Sequence, residues 1–206
     1  MKKILVMPDS FKGTMTSGEV CSIMESAVLK NFKDAQVISI PVADGGEGSV
    51  DAFLAACGGK KVSIRVKDPY FEEIEAFYGL IDEDRAAVIE MAACAGLPLV
   101  KDCPDPSKTT TFGVGQMIGH ALSSGCRKMI VCLGGSATND GGTGAAAALG
   151  TVFKDRSGSA FIPVGATLND IVQIDNAELA NKIKGVEIIT MCDIDNPLYG
   201  ESGAAY

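Results

Sequence analysis

The run at 132–150, CLGGSATNDGGTGAAAALG, constrains this chain more than any other. Glycine loses more conformational freedom on ordering than other residues, so a dense cluster persists where backbone must turn with positive φ or approach another group closely. Here the cluster lies between an apolar run, KMIVCL at 128–133, and an alanine-rich helix former, TGAAAALG at 143–150. The pattern predicts a strand, a glycine loop and a helix, an arrangement in which phosphates are commonly bound. The loop has neither the lysine and hydroxyl pair of a Walker A sequence nor the spacing G-x-G-x-x-G. Its reading therefore rests on physical chemistry. Backbone N–H groups of Gly134, Gly135 and Ser136, hydroxyls of Ser136 and Thr138, and the adjoining Asn139 and Asp140 are the expected cradle for a nucleotide phosphate, with Asp140 facing the same cleft. The competing reading is a tight turn in which Asn139 and Asp140 cap the following helix.

The first sixty residues alternate strand and helix. KKILVMP and AQVISIPVAD read as strands, 16–30 and 47–57 as helices, the second ending at Gly58-Gly59. This βαβα opening favours a parallel sheet. Thr16 and Ser17 offer helix caps, with Glu19 in the capping-box position, and Val20, Ile23, Met24, Ala27 and Val28 follow at helical spacing. Near Lys60 the rhythm changes to three short strand-like runs, KKVSIRVKDP, IEAFYGLID and RAAVIEMA, which predict an antiparallel meander and a second structural unit. A helix is expected within 105–125, and EIITMC at 187–192 reads as a further strand. The expected fold class is α/β, with a parallel-sheet domain begun by 1–65 and a second, mixed α/β domain over 66–206.

Composition limits the chemistry. The 206 residues are 47% hydrophobic, enough to bury a substantial core, and 26 acids against 18 bases give a formal charge of −8. No basic run offsets that charge, so nucleic acid is not an expected partner. No apolar run approaches the roughly twenty residues of a membrane span, and the apolar part of MKKILVMPDS is too short for a signal peptide. Cys21, Cys57, Cys94, Cys103, Cys126, Cys132 and Cys192 are odd in number and none is spaced C-x-x-C. They read as buried thiols of a reducing, cytoplasmic setting. The sole histidine, His120, sits inside a helical pattern, which disfavours a Ser-His-Asp hydrolase or a histidine-rich metal site.

Carboxylates recur at the ends of strands. PVADGGEGSVDAFL places Asp44 and Glu47 around two glycines, and MCDIDNPL places Asp193, Asp195 and Asn196 after a strand. These are hard oxygen groups suited to Mg²⁺ or a hydroxylated substrate, although Asp-Gly is also an ordinary turn. The loop PDSFKGT adds Asp9, Ser10 and Lys12, whose ammonium is placed to neutralise charge on a transferred phosphoryl group. Acidic strand ends, a glycine loop and a crevice lysine together point to metal-assisted phosphoryl transfer.

The motifs PDSFKGTMTSGEV, PVADGGEGSVDAF, TTTFGVGQMI, LGGSATNDGGTGAAAALG and CDIDNPLYGESGA, in this order along the whole chain, resemble the bacterial glycerate kinases of class I. The resemblance implies transfer of the ATP γ-phosphate to D-glycerate with Mg²⁺, giving 2-phosphoglycerate. It also implies a Rossmann-like (flavodoxin-like) domain and a second domain of restriction-endonuclease-like fold, with the site between them. On this reading Lys12, Asp44 and Asp193 are catalytic, with Asp44 or Asp193 orienting the attacking hydroxyl, Asp9, Ser10 and Glu47 meet substrate, and Asp193 or Asp195 helps hold the metal. Chains of the family continue well past GESGA, so a truncated chain, a missing C-terminal portion or a homo-oligomer is expected. A kinase of another small hydroxy acid, or a noncatalytic nucleotide- or phosphate-binding module, accounts for the same motifs.

Overall fold

The computed structural model describes residues 2–102, 104–195, 197 and 199–203. Cys103 and Asn196 lie outside the described residues. The opening unit forms as its pattern dictates. β1 (Lys3–Val6) and β2 (Gln36–Ser39) pair in parallel, Lys3 opposite Gln36 and Val6 opposite Ser39, and α1 (Ser17–Asn31) is the crossover. Thr16 Oγ1 accepts from the Glu19 N–H at 3.2 Å and the Glu19 carboxylate accepts from the Thr16 N–H at 2.7 Å. This capping box satisfies donors that a helix start leaves unpaired, and its hydrogen bonds hold the Glu19 carboxyl below the usual range. α2 (Ser49–Cys57) ends at Gly58 as expected but starts two residues later than the pattern suggested. Gly48 adopts a left-handed φ of 91°, which leaves Glu47 in the turn ahead of the helix.

A mixed sheet follows. β3 (Lys60–Lys67), β4 (Glu73–Ile81) and β5 (Ala86–Glu90) make the expected antiparallel meander. The chain then passes through α3 (Ala92–Ala95) and α4 (Phe112–Ser123) to β6 (Lys128–Cys132), parallel to β5. α4 begins late in its predicted window, because Thr109, Thr110 and Thr111 are buried and hydrogen-bonded elsewhere. After α5 (Thr143–Ala148) comes a small antiparallel sheet of β7 (Val152–Lys154), β8 (Ala160–Phe161) and β9 (Gln173–Asp175), which the sequence pattern did not reveal because its strands are two or three residues long. α6 (Ala177–Lys182) leads to β10 (Glu187–Met191), parallel to β6, so the large sheet has the order β10-β6-β5-β4-β3.

β5 is buried on both faces, and its alternation sorts the core in two. Ala87 and Ile89 join Tyr78 and Met129 under Val114, Met117 and Ile118, the last three from α4. Ala86 and Val88 join Ile81 and Cys132 under Val50 of α2. The last helix of the opening unit is thus packed onto the large sheet, which fixes the β2–α2 loop over that sheet's edge. Among the described cysteines, Cys21, Cys94, Cys126 and Cys132 are buried, and burial pushes the Cys94 thiol up to about 12. Cys57 and Cys192 are exposed, a correction to the expectation that the cysteines are buried thiols. His120 is engaged by Tyr78, with Oη 2.8 Å from Nδ1. Among the described residues no helix is long and apolar enough to cross a membrane.

Candidate active site at the strand ends

β5, β6 and β10 run parallel and finish together at Glu90, Cys132 and Met191. Two loops meet over that edge. The Gly134 N–H donates to the Gly45 carbonyl at 2.9 Å, and the Leu133 N–H to the Met191 carbonyl at 3.1 Å. A Cβ at Gly134 would stand 2.7 Å from the Gly46 nitrogen and 2.9 Å from the Gly45 carbonyl carbon. The contact is backbone against backbone, so only glycine fits. The carboxyl ends of parallel strands are where α/β sheets place ligand crevices.

On this ledge the structure brings together groups from distant parts of the sequence. Lys12 Nζ lies 3.2 Å from Asp44 Oδ2, and Asp44 Oδ1 accepts from the Gly46 N–H at 2.9 Å. That backbone donor, with Lys12 beside it, holds the Asp44 carboxyl below the usual range. The Lys12 ammonium is raised, chiefly by its hydrogen bond and charge contact with Asp44, with Asp9 and Asp193 adding to the same field. Lys12 and Asp44 therefore form an ion pair, with the charges of Asp9 and Asp193 acting on Lys12. Ser10 is tied to Asp9 through its N–H, which donates to Oδ1 at 2.6 Å. Beside the ledge, Ser10, Lys12 and Glu47 line a cavity of about 600 Å³ that runs between the start of α1 and α2 and includes Met15, Val42 and Ala55 in its wall. Asp195 is exposed beyond β10. Among the described residues no three His, Cys, Asp or Glu side chains converge as a metal cage.

The glycine loop divides into two halves with different chemistry. In its first half, Gly135 takes φ 73°, the Leu97 N–H donates to its carbonyl at 3.0 Å, and the Ala137 N–H donates to the Ala95 carbonyl at 2.8 Å. Ser136 Oγ and Thr138 Oγ1 are 2.8 Å apart. The N–H groups of Gly135 and Ser136 carry no hydrogen bond among the described residues. In the second half, Asn139 is exposed but Asp140 is only 1% exposed. Asp140 Oδ2 accepts from the Thr111 N–H at 2.8 Å, the Thr111 hydroxyl at 2.9 Å and the Gly144 N–H at 3.1 Å; Oδ1 accepts from the Gly142 N–H at 3.0 Å.

The expectation that Asp140 faces the cleft is corrected accordingly. Its carboxylate fills the positive end of α5 from within the protein and ties it to the start of α4. The turn-and-cap reading describes this half of the loop. Asp140→Ala is expected to cost about 3 kcal/mol or more, because it strands several buried donors at once. Thermal or denaturant unfolding checks it: a change below about 1 kcal/mol would return Asp140 to the list of cleft acids.

One functional candidate escaped the sequence reading. Glu90, the last residue of the apolar run AAVIE, is 2% exposed at the end of β5. Its Oε2 accepts from the Val50 N–H at 3.1 Å. The only sequence signal was an acid closing a strand buried on both faces.

The arrangement is that of an α/β protein with a polar, charged crevice at the carboxyl ends of its parallel strands. The model of the glycerate kinase family matches residues 4–206. The chain belongs to that family. It is 42% identical to a glycerate kinase of Bacillus cereus over 99% of this chain and 54% of the relative, and 42% identical to glycerate 2-kinase of Escherichia coli over 98% and 54%. A crystal structure of a protein provisionally assigned as glycerate kinase 2 of Salmonella typhimurium LT2 superposes with a TM-score of 0.84 at 40% identity, covering 98% of this chain and 55% of that one. The chain spans about half the length of the relatives it matches.

Proposed function

We propose that this chain carries part of the catalytic site of an ATP-dependent kinase that phosphorylates D-glycerate to 2-phosphoglycerate. The observation that supports this best is the Lys12–Asp44 pair, 3.2 Å apart, with Asp44 on the loop that touches the glycine loop through Gly134. A lysine, an ionised carboxylate and free backbone N–H groups on one ledge are the parts that phosphoryl transfer needs, since catalysis there is mostly positioning and charge stabilisation.

Roles follow from the ionisation states. Asp44, held below the usual carboxyl range, is ionised at neutral pH and is a weak base. It orients the attacking hydroxyl by accepting its hydrogen bond through an oxygen. Lys12 is ammonium and exposed, free to turn from Asp44 toward an incoming phosphoryl group. Gly135 and Ser136 present their N–H groups to a nucleotide phosphate, with Ser136 and Thr138 hydroxyls and Asn139 beside them. Asp9, Ser10 and Glu47 line the approach for glycerate. Asp193 and Asp195 are the proposed Mg²⁺ carboxylates; their oxygens suit that ion, which needs only one or two carboxylates when phosphates and waters complete its shell. Bound Mg²⁺ supplies neutralisation of phosphate charge.

We read 1–65 as the first part of a Rossmann-like domain and 66–206 as the second, restriction-endonuclease-like domain, with β3 carrying the chain across the division. A cytoplasmic setting accords with the buried, unpaired thiols. A small-molecule partner accords with the cavity and the net charge.

ATP consumption against a panel of small hydroxy acids, using a polypeptide extended to its relatives' length, tests the activity. Absence of turnover with D-glycerate removes the substrate; turnover with a different acid names the alternative kinase. Tight nucleotide binding without transfer to any acceptor favours a binding module. In the active polypeptide, Lys12→Ala is expected to lower kcat/KM by about 10²–10³. Stability should hardly change, because an exposed pair contributes little. A loss below about threefold would remove Lys12 from phosphoryl stabilisation.

A further inference from the structure

We propose that Glu90 is a positioning residue that clamps the start of α2 and so sets the Asp44–Glu47 loop against Gly134. The inference rests on the kinase reading for its consequence, although its geometry stands apart from it. The first N–H groups of a helix have no intrahelical partner, and they are normally served by a side chain at the cap. At α2 the cap residue is Gly48, which has no side chain. The acceptor comes instead from another element. Glu90, rooted at the end of β5 and 2% exposed, receives the Val50 N–H at 3.1 Å.

The surroundings make this a built joint. Ser49 is fully buried and donates its hydroxyl to the Gly46 carbonyl at 2.7 Å. The start of α2 is thus held at Val50 by the end of β5, and Gly45 is held by Gly134 just beyond β6. Asp44, whose Oδ1 bonds the Gly46 N–H, inherits its position from that joint. Burial also pushes the Glu90 carboxyl up, against the pull of the backbone N–H groups at the start of α2. A neutral isostere that keeps one acceptor oxygen should therefore substitute well, whereas an apolar isostere leaves the Val50 N–H unserved.

Site-resolved amide exchange on the 206-residue chain tests the clamp without any turnover. In the unsubstituted chain the Val50 amide is expected to exchange slowly despite its place at a helix start. Glu90→Leu should speed it at least about tenfold, and Glu90→Gln should leave it within about threefold. Val88→Ala, a core change of the same sheet, should speed exchange without singling out this amide. Equal loosening in Glu90→Gln and Glu90→Leu, or in Val88→Ala, overturns the proposal. If Glu90→Leu does not fold, fast exchange at Val50 in the unsubstituted chain or in Glu90→Gln overturns it, and slow exchange in both upholds it. In the extended polypeptide, kcat should fall about tenfold or more in Glu90→Leu and recover in Glu90→Gln. Absence of turnover in the unsubstituted polypeptide defeats the kinase reading and leaves the exchange result standing.

Discussion

Gly134→Ala is expected to reduce glycerate-dependent turnover of the extended polypeptide by about a hundredfold or more, a larger effect than removing most side chains nearby. The added Cβ would stand 2.7 Å from the Gly46 nitrogen and 2.8 Å from its Cα, so no side-chain rotation relieves the clash. One loop must move. The atoms that move belong to the loop carrying Asp44, whose 3.2 Å contact with Lys12 is the core of the proposed site. Overpacking of this kind costs about 1–3 kcal/mol of stability, which unfolding of the 206-residue chain would measure. Gly18→Ala is the control, because a Cβ there meets nothing within 4 Å and its residue lies in α1. Equal behaviour of the two variants would show that the loops do not touch as described.

Why some of this was legible in the sequence and some was not follows from the range of the interactions. α1 was readable because Thr16 and Glu19, three residues apart, close their own capping box. Lys12 and Asp44 were readable together because they follow β1 and β2, parallel neighbours whose carboxyl ends share one edge, whereas Asp193 follows β10 of the other sheet. Asp140 misled. Its main partners, Thr111 and Gly144, are divided between the loop itself and a segment 29 residues earlier, and only the fold shows that the carboxylate is consumed there. Glu90 was invisible for a similar reason, since its donor, the Val50 N–H, lies 40 residues away on a helix start that a sequence pattern placed at Glu47. Gly134 and Gly135, adjacent in sequence, are required for unlike reasons: the first for space, the second for a φ of 73°.

The second large effect concerns association. The 206-residue chain, kept alone in solution, is expected to run above its 21.3 kDa monomer mass by size-exclusion chromatography with light scattering. The opening unit is a two-stranded parallel sheet, and parallel sheets are found almost only with both faces covered. Here they are not. Leu5 and Ile38, paired in register, are 56% and 45% exposed, and Phe11, Ile23 and Ile40 are exposed on the same unit. Apolar surface of this extent on a sheet with open edges drives association. In the chain alone, a second copy is the expected occupant of this face. Leu5→Thr with Ile38→Thr puts two β-branched strand formers on the pair while lowering its hydrophobicity, and should shift the chain toward monomer. Adding the C-terminal 45% or so of the Escherichia coli relative in trans should do the same for the unsubstituted chain, with a gain in stability set by mass action. A monomer with one cooperative unfolding transition, unchanged by either treatment, would show that the opening unit is complete as it stands, and the two-domain cleft proposed above would have to be given up for this chain.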